Sequence, residues 1–465
     1  MSARPQRIAI VGGGIAGVTA AWQLARLADR GANLEATLFE ASPRFGGTVE
    51  TIRRDGFTVE TGPDGWISEK PWASQLAREL GLGDELIGSN DATRVTWILN
   101  QGRLQAIPDG MRLMVPTDLA ALEDSALFST EARAAYAAEP TRAEALKAAA
   151  PAEDESIASF VERHFGREIL TKIAAPLLSG VFGGDVHRLS VRAVMPQFVA
   201  MEREHGSLIL ALQKLSASRT GTTATPIFTS LRSGTATLIE RMLACIPEPW
   251  LRPSTLVQSI ARHHTGWTLA TAAGPHACDT LILAVPAHTA RALLARLLPE
   301  TSSLLALQAS SAILVSFAFS AYFPLPQGFG FLVPAGEENS LLAATFVDQK
   351  FPHRAPPGGR LLRAFFGGEQ LSPEDARSDA ELALEAQTQL AAILGRLPRP
   401  DFHIVRRWPR SLPQYTVGHL ERMASLAEII SHEPGLHLLG NAYRGVGLPD
   451  LIRDARSLAV SIAAH

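Results

Sequence analysis

The chain has 465 residues, 46% of them hydrophobic and 19% charged, which suits two to four packed units and excludes a disordered chain. Lys and Arg number 43 against 46 Asp and Glu, a net charge of −3 with no basic block, which excludes a dedicated nucleic-acid binder. Two cysteines, Cys245 and Cys278, make neither a disulfide framework nor a metal cluster and suit a reducing cytosol. Residues 1–7 lack the apolar stretch of a signal peptide, and no run of about 18 apolar residues is present to cross a bilayer. The expected location is cytoplasmic, with contact to the inner face of the cell membrane left open.

The chain opens on a buried strand over 7–11. Gly12, Gly14 and Gly17 follow at G-x-G-x-x-G spacing, and a helix with an apolar face runs over 15–29. A second strand over 35–39 ends at Glu40, 23 residues after Gly17. Gly12 allows the tight turn, Gly14 lets a pyrophosphate approach the backbone, and Gly17 lets helix and strand pack closely. Ile15 and Ala16 present the N–H groups of a helix N-terminus to the phosphates. Glu40 accepts from ribose hydroxyls. An acid there argues against a 2′-phosphate, so the dinucleotide is NAD or FAD. Residues 41–48, with Ala41, Arg44, Gly46, Gly47 and Thr48, resemble the R-x-G-G extension of the large FAD oxidoreductases with a glutathione-reductase-like fold, in which Arg44 meets a phosphate. A hairpin over 55–64 ends in Gly62, Pro63 and Asp64, similar to the G-P-x turn of the same group.

Between 108 and 225 alanine-rich helices dominate. They are expected over 125–138, 142–150, 156–164, 167–178 and 195–215, with a solvent loop over 216–225. The apolar stretch 107–122 is a candidate for resting on a bilayer surface, against ordinary core packing. His205 lies beside Glu202 and Glu204 without a second His or Cys at ligand spacing, so a solvated helix face is preferred to a metal site. Strands follow over 255–260, 267–269 and 279–286. The first resembles a strand whose valine, here Val257, presents its backbone to adenine. Further strands are expected over 313–319, 328–334, 341–346, 361–366 and 403–409, with a helix over 372–394. At the C-terminus a strand over 436–439, a loop from Gly440 and Asn441 to Val446 and Gly447, and a helix from Leu448 bring a second helix N-terminus to the flavin, where its dipole stabilises charge at the N1/C2=O edge. Covalent relatives carry a cysteine in this loop; Asn441, Ala442 and Tyr443 stand there, so FAD is expected to be non-covalent.

Three further stretches, 179–191, 201–209 and Trp408–Tyr415 with Gly418 and His419, resemble the oxygen-dependent protoporphyrinogen oxidases of the porphyrinogen oxidase family of FAD flavoproteins. The resemblance spans nearly the whole chain. It implies an α/β fold: a Rossmann-like FAD-binding domain over 1–85, 226–300 and 411–465, a β-rich substrate domain over 86–107 and 301–410, and a helical, membrane-associating insertion over 108–225. It places Trp408 with the cofactor residues. It implies six-electron oxidation of protoporphyrinogen IX in haem biosynthesis, with hydride passing to flavin N5 and O2 giving H2O2, and no catalytic side chain. Arg94 is the expected cation for propionates, and Leu332, Phe365 and Thr345 the apolar clamp. Trp66-Ile67-Ser68 replace a second cation of the animal enzymes; Lys70 and Arg103 are the helper cations that the extra carboxylates of coproporphyrinogen III would call for. The alternatives are a coproporphyrinogen III oxidase of the same family, a flavin amine oxidase or carotenoid desaturase, and a non-catalytic FAD-bound partner of a haem-pathway enzyme. A second copy of the chain and handover to ferrochelatase are the protein partners considered; nucleic acid and metal are not expected.

Overall fold

A computed structural model describes residues 4–218, 225–264, 266–368, 371–372 and 375–464. The chain divides into two compact units, one from Met1–Ser89, Pro226–Gln308 and Glu421–His465, the other from Asn90–Thr225 and Ala309–Leu420. The helical stretch 108–225 thus belongs to the same unit as the strands that follow residue 309.

The first unit is built on a five-stranded parallel sheet in the order Leu251–Arg252, Leu34–Phe39, Gln6–Val11, Thr280–Leu283, Leu436–Leu438. Ile8 to Val11 and Leu281 to Leu283 are continuous buried apolar runs, as a sheet covered on both faces requires. The helices Ile15–Asp29 and Leu448–Ala463 pack on one face, where Ala20, Ala21, Ala455 and Ala459 are small enough for close approach. A three-stranded antiparallel sheet, Val257–His263, Gly266–Thr271 and Gly274–Cys278, packs Trp267 and Leu269 onto the other face. The carboxyl ends of the parallel strands, at Phe39, Val11, Leu283 and Leu438, lie side by side. The order reverses beside Gln6–Val11, which makes this edge the usual ligand crevice of a doubly wound sheet.

The second unit holds a seven-stranded mixed sheet in the order Phe402–Pro413, Ala309–Phe319, Arg360–Gly368, Ala343–Phe346, Gly330–Leu332, Thr96–Asn100, Arg103–Ala106. The helix Asp379–Leu394, opened by a capping box between Ser378 and Glu381, covers one face. It starts later than the expected 372, at the point where Ser378 and Glu381 close that capping box; residues 373–374 lie outside the described residues. Most of the expected loop over 216–225 lies outside them too.

The helical part departs from expectation in several places; the helix expected over 167–178, for one, passes through a π turn at Leu170–Ala174 and runs on to Phe182. The first helix is Thr130–Ala138 rather than 125–138, since Ser129 accepts from the Ala132 N–H at 3.1 Å and sets the start. The helix expected over 195–215 is two, Pro196–His205 and Leu208–Ser218, broken at Gly206. There φ is +71°, and a Cβ would stand 1.9 Å from Ala143 O. The apolar stretch 107–122 folds as a small hairpin, Met111–Arg112 with Val115–Pro116, followed by a turn at Ala120–Leu122. Met114, Val115 and Leu122 are buried in the helical core, and Leu113 at the hairpin tip is exposed. Among the described residues no helix is long and apolar enough to cross a membrane.

Candidate functional site

The glycine turn at the carboxyl end of Gln6–Val11 is walled on two sides and open on one. A Cβ on Gly12 would stand 2.3 Å from Ala284 O, and one on Gly17 1.9 Å from Gly12 O. One on Gly14 would meet nothing within 4 Å. The helix Ile15–Asp29 starts at Gly14 with no side chain capping it, so Ile15 and Ala16 lead a helix N-terminus whose positive end faces that opening. An open glycine beside an uncapped helix start is a cradle that a Cβ would fill, and it fits a pyrophosphate.

Glu40 braces the turn. Its Oε2 accepts from the Gly13 N–H at 2.8 Å, and its Oε1 from the Ser42 N–H at 2.7 Å. Each carboxylate oxygen keeps a second acceptor site for a hydroxyl. Main-chain bonds from Ser254 to Ser42 and from Thr255 to Glu40 bring the segment leading to Val257 alongside, next to Ala41. The loop carrying Arg44, Gly46, Gly47 and Thr48 folds back over the turn: the Gly46 N–H donates to Gly13 O at 2.7 Å, and a Cβ on Gly47 would stand 3.2 Å from the Gly14 Cα. Arg44 donates to the carbonyls of Phe45, Gly47 and Val49. Its first task is therefore to shape the loop. Gly62 packs on that loop, since a Cβ there would lie 1.8 Å from Thr48 O. The carbonyls of Pro63 and Asp64 accept from the Thr235 and Ser230 hydroxyls.

The C-terminal loop joins the same edge. Leu439 N donates to Leu283 O at 3.0 Å, two strands along from Gly12. The loop runs from Gly440 and Asn441 through Val446 to Gly447, the uncapped start of the helix from Leu448. Burial pushes the Tyr443 phenol up, and its hydroxyl has no hydrogen-bond partner among the described residues. Asp450, in the first turn, is buried and accepts from Lys70 Nζ at 2.6 Å. The structure thus commits Lys70, expected from the sequence to be a helper cation for substrate, to this carboxylate. Trp408 lies in the second unit, on the strand Phe402–Pro413 in register with Ala312, whereas the other cofactor candidates lie in the first.

In the second unit, Leu332, Thr345 and Phe365 share one face of the sheet. Leu332 and Phe365 both stand opposite Ala343, and Thr345 lies two residues further along the same strand. Arg94 is exposed, two residues ahead of Thr96, which pairs with Gly330. Two further cations share the face. Arg363 stands opposite Thr345, is 4% exposed, and lays its guanidinium 4.9 Å from the Phe365 ring centre. Arg406 stands opposite Leu314, which pairs with Phe365. The available signal for Arg363 was a single charge inside the apolar run Leu361–Phe366. His205 lies 3.3 Å from Glu204, and among the described residues no group of three His, Cys, Asp or Glu is arranged to hold a metal ion.

A sequence profile described as flavin containing amine oxidoreductase matches residues 15–463. The chain is 32% identical over 472 residues to the coproporphyrinogen III oxidase of Bacillus subtilis, covering 100% of this chain and 99% of that one. It is 30% identical over 485 residues to the protoporphyrinogen oxidase of Macaca fascicularis, covering 98% of each. A crystal structure from Exiguobacterium sp. 255-15, described as a candidate protoporphyrinogen oxidase, superposes with a TM-score of 0.86 at 33% identity and covers 100% of this chain and 99% of its own.

Proposed function

We propose that this chain, which belongs to the flavin containing amine oxidoreductase family, oxidises coproporphyrinogen III to coproporphyrin III with O2 as acceptor. A flavin held in a dinucleotide crevice is FAD, and the open Gly14 cradle fits it. The observation that carries the substrate choice is the end-to-end likeness to the Bacillus coproporphyrinogen III oxidase. The sequence resemblance implies protoporphyrinogen IX first, with coproporphyrinogen III as the alternative; the likeness to the Bacillus enzyme favours the alternative.

When bound, FAD supplies a two-electron acceptor that O2 reoxidises, so that one porphyrinogen and three O2 give one porphyrin and three H2O2. The protein's tasks are to bind, orient and exclude water. In this reading Gly12, Gly14, Gly17, Ile15 and Ala16 hold the pyrophosphate, Glu40 the ribose hydroxyls and Val257 the adenine. The helix from Leu448 turns its N-terminus to the flavin ring. Leu332, Thr345 and Phe365 offer the macrocycle an apolar face, and Arg94 takes a propionate bidentately. A substrate with four propionates calls for more cations than one with two, and Arg363 and Arg406 share the face with the clamp.

Protoporphyrinogen IX is the second reading, favoured by the likeness to the macaque enzyme. Porphyrin fluorescence growth in air, with purified holoprotein and each porphyrinogen in turn, separates them. Higher kcat/KM on coproporphyrinogen III supports the first reading and higher kcat/KM on protoporphyrinogen IX the second. If neither exceeds autoxidation with FAD bound, both fail.

A further inference from the structure

We propose that the helical part of the second unit is locked by a buried imidazolium, His164, clamped between the carboxylates of Glu139 and Glu202, and that the protonation of this triad sets when those helices open. The inference is independent of the substrate. The His164 side chain is fully buried, with Nδ1 3.0 Å from Glu139 Oε1 and Nε2 2.9 Å from Glu202 Oε1. A neutral imidazole has one N–H. Between two ionised carboxylates its other nitrogen would aim a lone pair at an oxygen in a buried site. Only the imidazolium donates to both.

Both carboxylates accept further hydrogen bonds from their surroundings. Glu139 also accepts from the Leu208 N–H at 2.7 Å and from the Ser207 hydroxyl. Glu202 also accepts from Arg163, which bridges to Glu155. Donors on every side favour the charged acceptor, which leaves the proton on the ring. The remaining charged neighbours act on the main chain or further out. Arg142 donates to the carbonyls of Arg163 and His164, Lys147 donates to the Glu204 carbonyl, and His205 faces Glu204. The rings of Phe160 and Phe165 close the site at 4.8 and 5.5 Å.

The triad joins four helices. Glu139 ends Thr130–Ala138, His164 lies on Ile157–Phe165 and Glu202 on Pro196–His205. Ser207, bonded to Glu139, opens the next helix by accepting from the Leu210 N–H at 3.1 Å. This gives the stretch 201–209 a task that cofactor binding does not: Glu202 is a member of the triad, Ser207 donates to its Glu139, and Gly206 is the corner between them. The core packed around these helices includes Ile98 and carries Leu332 against it, so the lock backs the sheet face of the proposed clamp.

The two ends of the pH range act with opposite signs. Burial pulls the His164 pKa down, but the hydrogen bonds to Glu139 and Glu202 outweigh it and hold it above the ordinary imidazole range. Its contribution is full below that range and lost as pH rises through the raised value. Burial pushes Glu202 up, but its bonds to His164 and Arg163 hold it below the ordinary carboxylate range. That contribution is lost as pH falls through the lowered value.

The test is hydrogen exchange of the holoenzyme from pH 5 to 10, corrected for intrinsic rates and read by mass spectrometry. Protection of segments 157–165 and 202–212 should fall at least tenfold between pH 7 and pH 10, while Ala309–Phe319 holds. His164→Gln should show the low protection already at pH 7 and lose the pH dependence. Should that variant not fold, histidine Cε1–Hε1 NMR of the wild type decides: a signal with imidazolium shifts persists at pH 8. Protection that does not change with pH, or no imidazolium signal at pH 8, overturns the proposal.

Discussion

Lys70 Nζ donates to Asp450 Oδ2 at 2.6 Å, across 380 residues of sequence. The carboxylate is buried in the first turn of the C-terminal helix, where the helix dipole favours it, and the lysine is half exposed. Asp450→Ala should therefore cost about 2 kcal/mol of stability, the loss of a charge-assisted bond and a dipole contact. Lys70→Met should cost less than about 1 kcal/mol, because water screens its side of the pair. Denaturant unfolding of the holoprotein checks both. Since Lys70 is committed to Asp450, Lys70→Met should leave the ratio of kcat/KM between the two porphyrinogens unchanged; a changed ratio would return it to the substrate.

Gly12 and Gly14 should separate folding from cofactor binding. Gly12 has φ of +108° and an alanine there would meet the Ala284 carbonyl at 2.3 Å, so Gly12→Ala should cost about 3 kcal/mol or more, or fail to fold. Gly14 has φ of −69° and open space before it, so Gly14→Ala should fold normally as apoprotein. Its FAD dissociation constant should rise about tenfold or more, equivalent to about 1.4 kcal/mol. Titration of apoprotein with FAD, followed by flavin fluorescence, measures it, and unchanged affinity would mean that Gly14 does not face the pyrophosphate.

Arg363 and Arg94 carry the substrate prediction. Arg363→Leu should lower kcat/KM for coproporphyrinogen III by about ten- to a hundredfold, the range of a charge-assisted hydrogen bond, with a smaller effect on protoporphyrinogen IX. Arg94→Ala should lower both. Equal losses on both substrates for Arg363→Leu, with a lowered melting temperature, would make it a packing residue that supports Phe365 through the stacked guanidinium.

The two cysteines should differ in reactivity. Cys245 is exposed; Cys278 is buried in the first unit's core and burial pushes its thiol up to about 12. A thiolate is the reactive form. An aromatic disulfide reagent at pH 8 should titrate one thiol in the native protein and the second only after denaturation. Two fast thiols in the native state would show that the strand Gly274–Cys278 opens readily.

What sequence legibly carries here is what neighbours in the chain decide. The strand, the glycine spacing, the helix over 15–29 and the acid at 40 lie within one strand–helix–strand unit, and Gly17 meets its steric wall, the Gly12 carbonyl, inside it; the wall that Gly12 meets, Ala284, comes from far along the chain. The apolar run that became Thr280–Leu283 announced a strand buried on both faces in the same way. Helix starts were less legible, because Ser129 and Ser378 compete with other capping residues nearby and packing selects among them.

What only the tertiary structure decided is which distant groups meet. His164 finds Glu139 and Glu202 at separations of 25 and 38 residues, and each alone reads as an ordinary polar residue on a helix. Arg363 became a candidate only when strand pairing set it opposite Thr345, and Lys70 left the substrate list only when the chain's two ends brought Asp450 to it. Local spacing dictates backbone conformation, because the forces that set φ and ψ act within a few residues. The environment of a charge depends on what burial and pairing bring from elsewhere in the chain, and no local pattern encodes it.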